Sequence, residues 1–358
     1  MKPKFVIWMA VVNPYKNLKD KHFWRTAIAQ RNMLEIEQLW TPKFEIGPAD
    51  KVATFGSCFA QHFGKSLRSR GYNWLNTEPA PEGLSREDCR SFNYDAFTCR
   101  TGNIYTTSLL NQWVEWALGT ASPPKECWEE NGRYYDPFRP RIEPDGFVSA
   151  EEMFRSRQQA TSSFREAIET ADVFVFTLGL TESWFNSEHG YEYPMCPGTA
   201  AGEFDSDKHT FRNQPYPQVI KSLRTAIESM LSVNSELRFL LTVSPVPLTA
   251  TKSGQHVLVA TTMAKSILRA VAGQSARKPL IDYFPSYEII SSAPFRGTFY
   301  EANQRNVSRA GVGFVMDSFF NCLDERPAQV GQSQRTAESH SKEEDVACEE
   351  ALLEAYGK

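Results

Sequence analysis

Lys51-Val-Ala-Thr-Phe-Gly-Ser-Cys-Phe-Ala60 joins a short apolar run, Val52 to Phe55, to a stripe of apolar residues at four-residue spacing, Phe59, Phe63 and Leu67. The first has the continuous apolar character of a strand covered on both faces, and the second has the period of an amphipathic helix. Gly56, Ser57 and Cys58, small or polar, stand at the junction. A strand that turns straight into a helix presents its junction side chains to the helix N-terminus, where unpaired N–H groups and the helix dipole favour negative charge. A thiol held there is acidified, because the thiolate is the form the dipole stabilises. Cys58 is therefore a candidate nucleophile, expected to be the most reactive thiol of the chain. His62 follows four residues later on the same helical face, and helical side chains lean back toward the N-terminus, which puts the imidazole within reach of the thiol. The plainer alternative makes Cys58 a small buried hydrophobe and His62 a surface residue.

Working outward, Val173-Leu178, Phe239-Val243 and Leu280-Phe284 are further buried-strand runs, and Tyr72-Leu75 is a weaker one. Leu223, Ile227 and Leu231 repeat with helical period, as do stripes within Met153 to Ala171 and Val257 to Ala272. Alternating strands and helices imply an α/β fold with a doubly wound, mostly parallel sheet, Val52-Phe55 central and Val173-Leu178 beside it. Residues 77–150 and 185–217 interrupt the alternation and are expected to be long loop or subdomain insertions overhanging the edge where open α/β sheets bind ligands. From about Asp324 the chain turns polar. The expected organisation is one domain over residues 1–323 and a disordered tail over 324–358, removable without loss of folding, with a short terminal helix within Val346 to Tyr356.

With 41% hydrophobic and 23% charged residues, the 358-residue chain lies in the ordinary globular range. Thirty-nine basic against 43 acidic residues give a net charge of -4 without a basic run, which excludes nucleic acid as an expected partner. Phe5 to Val12 is too short for a signal peptide and lacks a cleavage site, and nothing approaches the roughly 20 apolar residues of a membrane span. The seven cysteines are odd in number, scattered and never arranged C-x-x-C. Reduced thiols and a cytoplasmic location follow as expectations. No metal-ligand spacing and no phosphate-binding glycine motif occurs, so neither a metal nor a cofactor is expected.

Gly56-Ser-Cys-Phe-Ala60 resembles the motif that names GSCFA proteins, and Phe176-Thr-Leu-Gly-Leu-Thr-Glu-Ser-Trp184, Thr242-Val-Ser-Pro-Val246 and Tyr283-Phe-Pro-Ser-Tyr-Glu-Ile-Ile290 are similar to the same family. The resemblance spans roughly Asn13 to Leu323. It implies a three-layer α/β/α fold with a flavodoxin-like sheet, related to the SGNH (GDSL-like) hydrolases. Laid on the Gly-Asp-Ser turn of those enzymes, Cys58 takes the nucleophile's place, with Ser57 the alternative if the turn slips by one residue. The SGNH oxyanion block corresponds to Gly179-Leu-Thr-Glu182, in which Gly179 and Thr181 would support an oxyanion and Glu182 would face substrate. A second oxyanion glycine corresponds to Gly102, with Asn103 beside it. The departure is at the late Asp-x-x-His that supplies the SGNH base, where this chain has Asn303-Gln-Arg-Asn306. A base would then come from His62, from His209 in one insertion, or from His256, which follows a predicted strand at the ligand-binding edge.

The resemblance points to an ester hydrolase or O-acyltransferase acting on an O-acylated carbohydrate or polysaccharide precursor. A cysteine nucleophile would pass through a thioester, which makes transfer as natural as hydrolysis. The rival is an inactive SGNH-like binding module that recognises a glycan or protein through Trp113, Trp116, Trp128, Tyr134 and Tyr135. Oligomeric state is not legible in the sequence.

Overall fold

Strand β1 (Val52–Gly56) is buried at every residue, and the chain around it forms the remaining elements in order: α1 (Ala60–Ser69), α2 (Arg86–Ser91), α3 (Thr107–Leu118), β2 (Trp128–Glu130), β3 (Arg133–Tyr135), α4 (Ala150–Thr170), β4 (Val173–Leu178), β5 (Glu182–Asn186), β6 (Glu192–Tyr193), β7 (His209–Asn213), α5 (Tyr216–Val233), β8 (Arg238–Val243), α6 (Val257–Ser275), β9 (Ile281–Tyr283), α7 (Ser286–Ser291) and α8 (Arg309–Asp324). This computed structural model describes residues 13–324 and 348–357. The short apolar run Phe5 to Val12 lies outside the described residues, as do residues 325–347 of the expected tail.

The principal sheet is parallel, in the order β1-β4-β8-β9. Its strands send alternate residues into two separate cores, as the period of two requires. Phe55, Phe174, Phe176, Phe239 and Leu241 pack with α3, α4, α5 and α6. Val52, Val173, Val175 and Leu240 pack on the other face with Phe63 of α1, Ile289 of α7 and Phe319 of α8. Covering both faces explains the unbroken apolar runs. The N-terminal stretch contributes Ile36, Trp40 and Ile46 to the second core, where the Trp40 ring stacks on Phe319 at 5.4 Å.

Two expectations are corrected here. β4, not β1, is interior: beyond β1 the expected strand Tyr72-Leu75 shrinks to a single parallel bridge, Trp74 beside Val52. The Trp74 indole turns inward to donate to Thr54 Oγ1 at 2.8 Å, and the chain leaves the sheet. Second, 77–150 is not merely an overhanging insertion, because α3 within it forms part of the first core and its Trp113 is completely buried. Residues 349–356, within the stretch expected to hold a short terminal helix, form a 3-10 helix that packs on the carboxyl edge of the sheet, as its contacts below show. The stretch 185–217 folds as a small antiparallel sheet, β6-β5-β7. Among the described residues, no helix is long and apolar enough to cross a membrane.

Gly56 decides how β1 ends. Its φ is +129°, and a Cβ there would lie 2.4 Å from the carbonyl oxygen of Thr177 on β4. Both the backbone conformation and the approach demand glycine. Gly56→Ala should therefore cost about 3 kcal/mol or more through strain and backbone displacement, read as a lower urea midpoint at unchanged m-value.

Candidate functional site

β1 delivers Ser57 and Cys58 to the carboxyl edge of the sheet, and α1 begins at Ala60, whose N–H bonds Ser57 O at 2.8 Å. The stretch Gly102 to Tyr105 is laced across this edge. Ile104 N–H donates to Gly56 O at 2.9 Å, and the N–H groups of Gly179 and Leu180 both donate to Tyr105 O. Gly179 must be small, since a Cβ would sit 2.9 Å from Ser57 Cβ. Ser57, Cys58, Gly102, Asn103 and Gly179 are thus brought to one place.

The residues that complete the site were not legible in the sequence. Cys58 shares a side-chain hydrogen bond with Cys348, which lies 290 positions later in the chain. Arg305 Nη2 lies 3.9 Å from Cys348 Sγ and 3.4 Å from Glu350 Oε2. Glu350 Oε1 accepts the Thr249 N–H at 2.9 Å, and Glu349 bonds the Asn103 side chain. Beneath, the fully buried Lys265 of α6 donates to Gly179 O at 2.8 Å. Lys265 carried a weak signal, as a lone cation three residues before Leu268 on the inward stripe of α6. Arg305 lies in Asn303-Gln-Arg-Asn306, the stretch set against the late Asp-x-x-His, one residue before the place of the expected histidine. Cys348 offered none, because its neighbours are remote in sequence.

Electrostatics reverse the expected thiol order. The hydrogen bond with Cys348, then burial, then the nearby charges of Cys348 and Glu350 push the Cys58 thiol well up. Cys348, bonded by Cys58 and facing Arg305, is brought down to about 6 against the cost of burial. Within the pair the thiolate is favoured on Cys348 and disfavoured on Cys58, so the acidification predicted for Cys58 falls on its partner. Burial also lowers Lys265 to about 8 and, partly offset by Arg305, raises Glu350 to about 7. Iodoacetamide should accordingly modify Cys348 ahead of Cys58, at a rate rising through about pH 6 as the Cys348 thiolate forms. Peptide mass mapping across pH checks this, and faster labelling of Cys58 would reverse the assignment.

None of the three candidate histidines is hydrogen-bonded to Cys58. The His62 ring packs edge-on against Phe59 at 5.4 Å, and burial with Lys65 nearby lowers it to about 4. His209 in β7 accepts the Asp205 N–H through Nδ1, between Tyr193 and Phe204. His256 is exposed and caps α6, its Nδ1 accepting from Leu258 N–H at 3.2 Å. The groups expected to support an oxyanion have partners within the fold. Gly179 N–H is engaged by Tyr105 O, and Thr181 Oγ1 donates to Asn213 Oδ1 at 2.8 Å. Glu182 accepts from Thr251. Ser57 Oγ, Tyr105 OH, Thr249 Oγ1 and Arg305 Nε are among the buried groups without a hydrogen-bond partner.

Trp113, Trp116 and Trp128, proposed above as sugar-stacking residues, are at most 8% exposed and belong to the first core. A groove of about 430 Å³ between α5 and α6, lined by Tyr216, Ile220, Arg224, Gln274 and Ile281 among others, shares no residue with the thiol site. Among the described residues no group of three His, Cys, Asp or Glu side chains converges to hold a metal ion.

The fold and the site define an α/β protein with a thiol pair, Cys58 buried and Cys348 half-buried, at the carboxyl edge of a parallel sheet. The GSCFA family profile matches residues 51–319, and the chain belongs to the GSCFA family. No protein of curated function matches it.

Proposed function

We propose that this protein transfers acyl groups from oxygen esters through Cys58. The observation that carries the reading is the set of groups around Cys58: a buried lysine lowered to about 8, a buried arginine, and donors without acceptors on Tyr105 and Arg305. Enzymes tune lysines to this range for proton transfer, and unpaired donors facing a nucleophile are the requirement for holding an oxyanion. In the reaction, the Cys58 thiolate attacks the ester carbonyl, the tetrahedral oxygen takes hydrogen bonds from Tyr105 OH and Arg305 Nε, and the carbon–oxygen bond breaks. Lys265 gives its proton to the departing alcohol. The thioester then passes to water or to a second hydroxyl. For substrate to enter, residues 348–357 move off Cys58. That movement removes the hydrogen bond, the burial and the anionic neighbours that raise its pKa, and leaves it beside two cations.

The parallel order β1-β4-β8-β9, with the Trp74 bridge where a further strand would lie in a flavodoxin-like 2-1-3-4-5 sheet, supports kinship with the SGNH hydrolases. On that kinship the substrate class is an O-acylated carbohydrate. The binding-module reading is favoured by one observation, the engagement of Gly179 N–H and Thr181 Oγ1 elsewhere, but the burial of Trp113, Trp116 and Trp128 leaves it only Tyr134 and Tyr135 of its proposed stacking residues. Incubation of the reduced protein with 4-nitrophenyl acetate should leave one acetyl group on Cys58, found by peptide mass spectrometry and released by hydroxylamine. An acetyl group on Ser57 would transfer the nucleophile to the serine, and no adduct at either residue would end the acyl reading.

A further inference from the structure

We propose that Cys58 and Cys348 form a site of reversible disulfide formation, with a hydroperoxide as oxidant, that fastens residues 348–357 over the GSC turn. Both are free thiols in contact, one on the sheet edge and the other at the start of the docked 3-10 helix. The contact is held from both sides. Two residues beyond Cys348, Glu350 is gripped by Arg305 and by the Thr249 N–H, and Glu349 by Asn103. The segment's fully buried side chains are these two glutamates and not apolar residues, so a few polar contacts position it. A covalent bond would change its hold more than any of them.

The chemistry divides between the two sulfurs. Cys348, half-buried and facing Arg305, supplies the thiolate, which attacks the peroxide and breaks its oxygen–oxygen bond. The sulfur is oxidised to sulfenic acid, and the leaving oxygen departs as water or alcohol with a proton from solvent. Cys58, protonated and in hydrogen-bond contact, then attacks the sulfenic sulfur. The disulfide forms, and water leaves carrying the Cys58 proton. Two thiols and one peroxide give one disulfide, one water and one water or alcohol. Thiolate character at one sulfur and a second thiol beside it is the arrangement such oxidation requires. The consequence for function rests on the acyl reading: the disulfide consumes the nucleophile and keeps its cover in place.

The test uses the full reduced chain, titrated with hydrogen peroxide, quenched with iodoacetamide and mapped by peptide mass spectrometry. Cys58 and Cys348 are expected to disappear together into one linked peptide, restored by dithiothreitol, at a dose that spares the other five cysteines. The same titration in urea should lose this preference. Cys58→Ser should stop at a sulfenic acid on Cys348, trapped by dimedone. Arg305→Gln, which keeps the Cys58 hydrogen bond but removes the cation that also favours the Cys348 thiolate, should slow the oxidation a few fold at pH 7. Absence of the linked peptide in the native wild-type chain, or a sulfenic acid that gathers on Cys58 while Cys348 stays reduced, overturns the proposal. The readout involves no ester, so acetylation of Cys58 without this disulfide, or the disulfide without acetylation, separates the failure of one idea from that of the other.

Discussion

Replacing Cys58 with alanine is expected to lower kcat/KM for 4-nitrophenyl acetate by at least about a thousandfold, the order seen when a nucleophile acting within a catalytic unit is removed. Ser57→Ala should cost far less. The Ser57 side chain packs toward Gly179, so closely that a Cβ on the glycine would be 2.9 Å away, whereas Cys58 faces Cys348 and senses the charge of Arg305. Lys265→Met should lose about a hundredfold, the smaller share expected of a proton-transfer group. His62→Ala and His256→Ala should leave the rate within a few fold of the wild type, as neither imidazole bonds the thiol. A collapse of activity in Ser57→Ala with Cys58→Ala unaffected would move the chemistry by one residue. A loss in His256→Ala as large as that in Cys58→Ala would restore the histidine base expected from the sequence.

Asp136→Ala is expected to destabilise the fold by about 3–5 kcal/mol, the cost of leaving buried charges without their counter-charge. Asp136 is 1% exposed and accepts from Arg139 Nε at 2.8 Å, from Arg157 Nη2 at 2.7 Å and from Phe138 N–H at 3.0 Å. Both arginines are buried, and Arg157 reaches from α4 to the carbonyls of Pro124 and Glu126. This cluster therefore ties the stretch between α3 and α4 to the core. Burial pushes the Asp136 carboxyl up, but Arg157 and Arg139 outweigh it and hold the group below its ordinary range. A depressed pKa contributes stability above the unfolded value, and that contribution disappears as pH falls through the folded one. The wild type should thus lose stability on acidification more steeply than Asp136→Ala. Urea unfolding at neutral and acid pH measures both effects; a destabilisation under about 1 kcal/mol would place the cluster among weak exposed pairs.

What the sequence determined by itself was whatever depends on local period. Val52-Phe55, Val173-Leu178 and Phe239-Val243 are strands because they are short apolar runs, and α4, α5 and α6 are helices because their apolar residues repeat every three or four positions. The turn at Gly56-Ser57-Cys58 was legible for the same reason, as a change of period at a glycine. Helix α3 was obscured by the Trp- and Pro-rich stretch around it, and Tyr72-Leu75 failed as a strand because the Trp74 indole found Thr54. Only the tertiary structure decided the site. Lys265 and Arg305 reach Cys58 from distant elements, and Cys348 arrives at the head of the short terminal helix, whose place on the GSC turn no local pattern specified. Its two glutamates are buried because Arg305, Thr249 and Asn103 meet them there. Periodicity reports which face of an element is covered; which charges meet across the covered edge depends on chain segments hundreds of residues apart, and no local pattern encodes that.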